Sequence, residues 1–492
     1  MGALVTRDSA RLDRGSNWAD WHVAVAGIGI AGFAAADALM QLGAAVTVID
    51  SADGEGQRER AEVLGSLGAR VLLAHTGLVP EGVDVLVVSP GLRPASPLIV
   101  DALDRGIPVW GELELAWRLR HPDTAAAWLC ITGTNGKTTA TLMLESMLRA
   151  AGYRTTSAGN IGMSLVDVVM HDDLDVIAIE VGAPQLPFVH SMSPVASVCL
   201  NIADDHIDFF GSMDAYVAAK ARVYERTREA AVYNVEDAVT RRMVEDADVV
   251  EGCRAIGFTL GTPGLSMVGV VDDVLVDRAF VADRADNAQE LGLVSDVHPF
   301  APHNVANALA AAALARAFGV PATAVRDGLR SFVPAEHRIA AVGTVAGVAY
   351  VDDSKATNAH AAQTSLLAYE PIVWIAGGMA KGQEFHELVA RSRERLRGVV
   401  LLGVDRESIA QALARHAPDV PVIVVENPET GAMVEVVRQA AALALPGDTV
   451  LLAPGCASWD MFRDYSDRGR QFAAAVAQLP GFVAAPGPGA GS

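Results

Sequence analysis

The sequence predicts an α/β protein of three domains, with a doubly wound parallel sheet at each end of the chain and a phosphate-binding domain between them. Three observations predict it. Short β-branched strands alternate with Ala-rich helical stretches in the first and last regions. A phosphate-loop motif stands between them at 131–139, and 492 residues at 51% hydrophobic can bury several cores.

The first region reads strand, glycine turn, helix, strand. Residues 23–26 form a short buried strand, Gly27-Ile28-Gly29-Ile30-Ala31-Gly32 turns the chain, and an Ala-rich helix extends to about Leu42. The strand at 46–49 ends at Asp50, and that at 84–88 runs into Ser89-Pro90-Gly91. Gly27, Gly29 and Gly32 with Asp50 match a dinucleotide fingerprint, in which a helix N-terminus receives a pyrophosphate. That supports some nucleotide or pyrophosphate ligand and leaves a nicotinamide dehydrogenase as one alternative. The region ends near Gly111.

The second region begins with a strand at 128–132, then Gly133-Thr134-Asn135-Gly136-Lys137-Thr138-Thr139 opening a helix. Glycines let amides curl around phosphate oxygens, and the helix N-terminus adds a favourable dipole. Lys137 would reach the β/γ-phosphates and Thr138 would hold Mg²⁺. Ile131 stands where a standard P-loop has its first glycine. Strands follow at 176–179 and 195–202, with acids beyond their ends: Glu180, then Asp204-Asp205-His206-x-Asp208. Mg²⁺ prefers carboxylate oxygens, so Glu180 is the expected ligand and His206 a ligand or hydrogen-bond partner. Residues 265–300 suggest a small irregular β segment, and an Ala-rich helix at 303–318 leads to Phe332.

The third region repeats apolar strands at 372–376, 399–402, 422–425 and 449–453, separated by helical stretches, as a second doubly wound sheet requires. The tail at 484–492 is Pro, Gly, Ala and Ser, a composition that favours disorder.

Composition narrows the function. A net charge of −21 argues against nucleic-acid and anionic-membrane partners, while local amides can still hold a phosphorylated substrate. Cys130, Cys199, Cys253 and Cys456 are scattered without a C-x-x-C pair, which fits a reducing cytosol. The apolar run at 22–42 contains three glycines and Asp37, so membrane insertion is not expected. The opening Met-Gly-x-x-x-Thr matches a myristoylation pattern, and we treat the match as coincidence. Only Lys137, Lys220, Lys355 and Lys381 are lysine among 38 basic residues, so lysine should stand where a compact, modifiable amine is needed. Tyr216, Lys220 and Tyr224 are spaced to share one helical face.

Read in order, Thr132 to Thr139, Asn201-x-x-x-Asp205-His206, Ala218-Ala-Lys220, His303-Asn304-x-x-Asn307 and His337-Arg338 resemble the Mur ligase and folylpolyglutamate synthetase superfamily. Within it, Asp353-Ser354-Lys355-Ala356-Thr357-Asn358 and Ala457-Ser458-x-Asp460 are similar to the D-glutamate-adding branch. The resemblance implies a cytoplasmic, monomeric ATP-dependent ligase. Its Rossmann-like UDP-substrate domain would span 1–111, its P-loop ATPase-type domain 112–335 and its Rossmann-like amino-acid domain 336–483. Its substrates would be UDP-N-acetylmuramoyl-L-alanine, ATP and D-glutamate, with two Mg²⁺ ions, joined through an acyl phosphate in peptidoglycan precursor synthesis.

Roles follow from the same resemblance. Lys137, Thr138 and the loop residues Gly133, Thr134, Asn135, Gly136 and Thr139 would bind ATP and the first Mg²⁺. Glu180 and a carbamylated Lys220 would belong to the second metal site. Asn307, Arg338 and Asp353 would approach the nucleotide, and Lys355, Thr357, Ser458 and Tyr465 the amino acid. Asn160 and His206 would border the reacting end of the UDP substrate, with Gly27, Gly29, Gly32, Asp50 and Gly91 around its uridine diphosphate. Lys137, Lys220 and His206 would be catalytic. Four departures stand out: Gly182-Ala183-Pro184 replaces the usual serine pair and Phe ahead of Gln185, Pro302 precedes His303 where Gly is common, Ala340 replaces a frequent acid, and Tyr465 replaces Phe. Besides the nicotinamide dehydrogenase, two alternatives remain: a nucleotide-switch module, or a superfamily member with another amino-acid preference.

Overall fold

The computed structural model describes residues 9–121, 123–170, 173–205, 207–334, 337–426 and 431–485. They form three sheets in two compact units, one holding the first and second sheets and the other the third.

The first sheet is built from β1 (His22–Ala26), β2 (Ala45–Ile49), β3 (Arg70–Leu72), β4 (Val85–Val88) and β5 (Val109–Gly111), in order β3-β2-β1-β4-β5. All its pairs are parallel, and four residues of β1 and all of β4 are buried, as a sheet covered on both faces requires. Strand order reverses between β1 and β4, so the Gly27–Gly32 turn lies at the switch point where such sheets bind ligands.

The second sheet has nine strands. β6 (Ala127–Thr132), β7 (Thr155–Gly159), β8 (Val176–Glu180), β9 (Ala196–Cys199), β10 (Ala230–Asn234) and β11 (Arg254–Phe258) run parallel. β12 (Met267–Val271), β13 (Val274–Asp277) and β14 (Gln289–Leu293) then extend one edge, the last two antiparallel. The order is β14-β13-β12-β11-β10-β9-β6-β8-β7. The small irregular β segment expected at 265–300 is this ladder, with a register shift between Leu275 and Val276. The strand expected at 195–202 stops at Cys199, because the backbone and side chain of Asn201 turn to bind the phosphate loop. Helices Lys137–Ala150 and Pro302–Ala317 cover this sheet, and their Met, Leu and Ala side chains join one core with β6, β8 and β9.

The second unit carries β15 (Ala340–Val345), β16 (Val348–Asp352), β17 (Ile372–Gly377), β18 (Leu396–Leu402), β19 (Val422–Val424), β20 (Thr449–Leu452) and β21 (Phe482–Ala484). Their order is β19-β18-β17-β20-β16-β15-β21, parallel from β19 to β16 and antiparallel at β15 and β21. No helix among the described residues is long and apolar enough to cross a membrane.

Candidate active site

The phosphate loop joins β6 to helix Lys137–Ala150, and its shape requires glycine. Gly133 has φ +152° and Gly136 φ +83°, and a Cβ on Gly136 would lie 2.3 Å from Asn307 Oδ1. Asn201 clamps the loop: its carbonyl accepts from Thr134 N at 3.0 Å, its Oδ1 accepts from Asn135 N at 2.9 Å, and its Nδ2 donates to Asn135 O at 3.1 Å. The Thr134 hydroxyl meets Tyr216 OH at 3.0 Å. Lys137 Nζ folds over the loop and donates to Gly133 O at 2.9 Å and Thr134 O at 2.8 Å. Thr139 follows in the first helical turn.

At the neighbouring strand end, Glu180 is 2% exposed and both its oxygens are engaged. Thr138 Oγ1 donates to Oε2 at 2.7 Å, and Asn160 Nδ2 donates to Oε1 at 2.8 Å. Among the described residues no group of three or more His, Cys, Asp or Glu side chains could hold a metal. A hydroxyl beside one carboxylate nevertheless fits a hard cation such as Mg²⁺, which takes few protein ligands and completes its shell with water and phosphate. His206 lies outside the described residues.

Lys220 ends helix Met213–Ala221 and is 1% exposed. Its Nζ donates to Gly133 O at 2.7 Å and to Thr132 Oγ1 at 3.4 Å, so Lys137 and Lys220 converge on one carbonyl. Burial, and then the Lys137 charge, lower the Lys220 pKa to about 7. The ring of Tyr216 lies 4.9 Å from Nζ. Tyr224 does not share their helix: it sits in a 3₁₀ turn, where its hydroxyl donates to Val232 O and accepts from Cys199 N.

In the first sheet, Gly27 (φ +98°) and Gly32 meet so closely that a Cβ on Gly32 would lie 1.8 Å from Gly27 O. Asp50 ties this turn to β2, accepting from Ile28 N and Ala52 N, each at 2.8 Å. Gly29 and Gly91 are exposed with open space above them, so a ligand can approach both.

The second unit holds Asp353, Lys355, Thr357 and Ser458 on loops after parallel strands, with Arg338 just before β15 and Tyr465 opening helix Tyr465–Ala477. His337, at φ +62°, bonds Asp352 Oδ2 through Nδ1 at 2.6 Å, and its carbonyl accepts from Lys355 N. Arg338 follows it and holds Asp353 down electrostatically, yet burial dominates and pushes Asp353 up to about 6. Ser365 Oγ donates to Asp353. Lys355 Nζ lies 3.7 Å over the Tyr465 ring, and Thr357 follows in a tight turn on Lys355 O. Ser458 is buried on the loop after β20.

Sequence reasoning passed over Arg468. It is fully buried in helix Tyr465–Ala477 and joins the two loops, donating to Ser354 Oγ at 2.9 Å, Ser354 O at 2.8 Å and Cys456 O at 3.1 Å. Surface arginines abound in this chain, so its spacing carried no signal. Lys381, singled out by rarity alone, lies 4.1 Å over the Trp459 ring.

Comparison with known proteins accords with this geometry. Residues 21–111 match the Mur ligase MurD-like N-terminal domain, 131–315 the Mur ligase middle domain and 337–456 the Mur ligase glutamate ligase domain. The chain is 58% identical over 465 residues to the UDP-N-acetylmuramoylalanine–D-glutamate ligase of Streptomyces avermitilis, covering 94% of this chain and 99% of that protein. Its identity to the enzyme of the same name from Thermobifida fusca is 50% over 463 residues, with 94% and 99% covered. Among solved structures, UDP-N-acetylmuramate-alanine ligase from Thermotoga maritima shares the fold with a TM-score of 0.54 at 19% identity, covering 92% of this chain and 98% of that one.

Proposed function

The chain belongs to the Mur ligase family, and we propose that it joins D-glutamate to UDP-N-acetylmuramoyl-L-alanine at the expense of ATP, in the cytoplasm, for peptidoglycan precursor synthesis. The observation that carries the chemistry is the convergence of Lys137, Thr138, Glu180 and Lys220 on one phosphate loop.

An amide cannot form from a carboxylate whose leaving group would be oxide. The L-alanine carboxylate attacks the γ-phosphorus of ATP and ADP leaves, giving an acyl phosphate. The D-glutamate amine then attacks the acyl carbon, loses a proton, and expels inorganic phosphate. Transfer between two anions needs positioning and charge neutralisation more than covalent help from the protein. Lys137 leaves its loop carbonyls to meet the β/γ-phosphates, and the amides of Gly136 to Thr139 cradle them. Thr138 and Glu180 would hold Mg²⁺, which when bound neutralises phosphate charge and screens the approaching carboxylate. Asn160 fixes the Glu180 carboxylate from its other side.

Asn307, which packs against Gly136 of the phosphate loop, serves the nucleotide. Lys355, Thr357 and Ser458 take D-glutamate, with Tyr465 holding the Lys355 ammonium by its ring face. The open approach to Gly29 and Gly91 receives the uridine diphosphate. Lys220 would be carbamylated: its depressed pKa supplies a neutral amine, and CO₂ would convert it to a carbamate with release of a proton, an anionic oxygen donor suited to a second Mg²⁺. The decisive measurement is phosphate release from ATP with UDP-N-acetylmuramoyl-L-alanine and each candidate amino acid in turn. D-glutamate alone should support release; equal release with another amino acid would overturn the selectivity.

A further inference from the structure

We propose that Glu112 is a positioning residue that holds both chain segments flanking Glu180 and so sets that carboxylate for phosphoryl transfer. The inference rests on the ligase reading above and adds a residue to it.

Glu112 begins helix Glu112–Arg118 directly after β5, on the chain leaving the first sheet, and is 4% exposed. Its Oε1 accepts from Ser164 Oγ at 2.8 Å and Leu165 N at 3.0 Å, and its Oε2 accepts from Gln185 Nε2 at 3.4 Å. Each donor leads back to Glu180. Ser164 closes the loop that starts at Asn160, whose amide donates to Glu180 Oε1. Gln185 presents its other end to the turn after β8, where Oε1 accepts from Gly182 N at 2.8 Å. Two segments from opposite sides of Glu180 therefore end on one buried carboxylate.

A purely structural role accounts for this poorly. Burial pushes the Glu112 carboxyl up despite its three donors, so an ionised group here opposes a real desolvation cost. An apolar side chain would fill the space without that cost, but could not orient the Gln185 amide. Gly182-Ala183-Pro184 carries no side-chain hydroxyl or amide, which leaves Gln185 as the polar side chain that ties the turn down.

A reciprocal swap tests the relay. Glu112→Gln turns an amide N–H₂ against the Gln185 N–H₂, and Gln185→Glu sets two carboxylates face to face. Together they restore one donor and one acceptor, with the Ser164 and Gly182 bonds retained. Each single variant should lower kcat at least ~10-fold while ATP affinity stays within about twofold, and the double variant should regain most of that loss, the signature of direct coupling. A wild-type kcat in Glu112→Gln, or a double variant no faster than the slower single, overturns the proposal. Should Glu112→Gln not fold, Gln185→Ala carries the same kcat expectation and the same overturning result. D-glutamate-dependent phosphate release by the wild type is read in the same assay, so its absence would count against the ligase reading instead.

Discussion

Thr138 Oγ1 lies 2.7 Å from Glu180 Oε2, a bond that joins the first turn of the phosphate-loop helix to the end of β8. The pair presents a hydroxyl and a carboxylate as adjacent hard oxygens. Thr138→Ser keeps the donor and should retain most activity. Thr138→Val keeps the shape and loses the oxygen; it should lower kcat by about 10²-fold and raise the Mg²⁺ concentration needed for half-maximal rate. A magnesium titration of both variants checks this, and an unchanged requirement in Thr138→Val would remove Thr138 from the metal site.

Lys137 is half-buried and donates to two carbonyls of its own loop, outside the apolar core. Lys137→Ala should abolish ATP-dependent ligation and leave the thermal midpoint within a few degrees of wild type, as expected for a loss of about 1 kcal/mol or less. Ligation near the wild-type rate would show that the loop does not serve ATP.

Much of the architecture was legible in the sequence because parallel strands buried on both faces read as short apolar runs, and each run expected in the third region is a strand. The phosphate loop was equally legible, since Gly133 and Gly136 occupy backbone shapes that other residues resist. Strand ends were less so. Nothing in Ser197 to Ile202 announces that Asn201 leaves the sheet to clamp the loop, because that bond depends on β6 lying beside β9. Glu112 and Arg468 were invisible for a related reason. A buried charge is recognised by its partners, and those partners lie 52 to 73 residues away for Glu112 and 114 for the Arg468–Ser354 pair.

Lys355 stands 3.7 Å over the Tyr465 ring, which steadies an ammonium without neutralising it and leaves its charge for a carboxylate. Lys355→Ala should raise the D-glutamate KM at least ~10-fold with little change in ATP affinity, and Tyr465→Phe, which keeps the ring but loses the hydroxyl bonded to Lys355, should have a smaller effect of the same kind. Calorimetry on the two ligands separates the effects. Equal losses for both, or efficient use of an uncharged amino acid by the wild type, would remove Lys355 from this role.

Lys220 joins pH to chemistry. Burial, then Lys137, depress its pKa to about 7, whereas an unfolded lysine titrates near ~10.4. Between those values the unfolded lysine binds the extra proton, so the Lys220 contribution to stability should rise with pH from about 7 to 10, by of order 1 kcal/mol per pH unit, while the buried thiols, raised by burial, act in the opposite direction. The gain belongs to the neutral amine and is lost as pH falls through the folded value. Unfolding of CO₂-free wild type and of Lys220→Met, followed across that window, should differ by that slope, since the thiols contribute equally to both. The same neutral amine is the form that attacks CO₂, giving a carbamate and a released proton. A carbamate would keep one N–H, enough to preserve the 2.7 Å bond to Gly133 O, and would add two oxygen donors. Labelled bicarbonate should therefore give a carbon-13 carbamate signal that fades as the pH drops below about 7 and is absent from Lys220→Ala. That variant should be nearly inactive, and acetate should restore part of its activity by filling the vacated oxygen site. An unmodified lysine in a nucleotide-bound crystal prepared with bicarbonate, together with no rescue by acetate, would leave Lys220 as a loop-binding amine and nothing more.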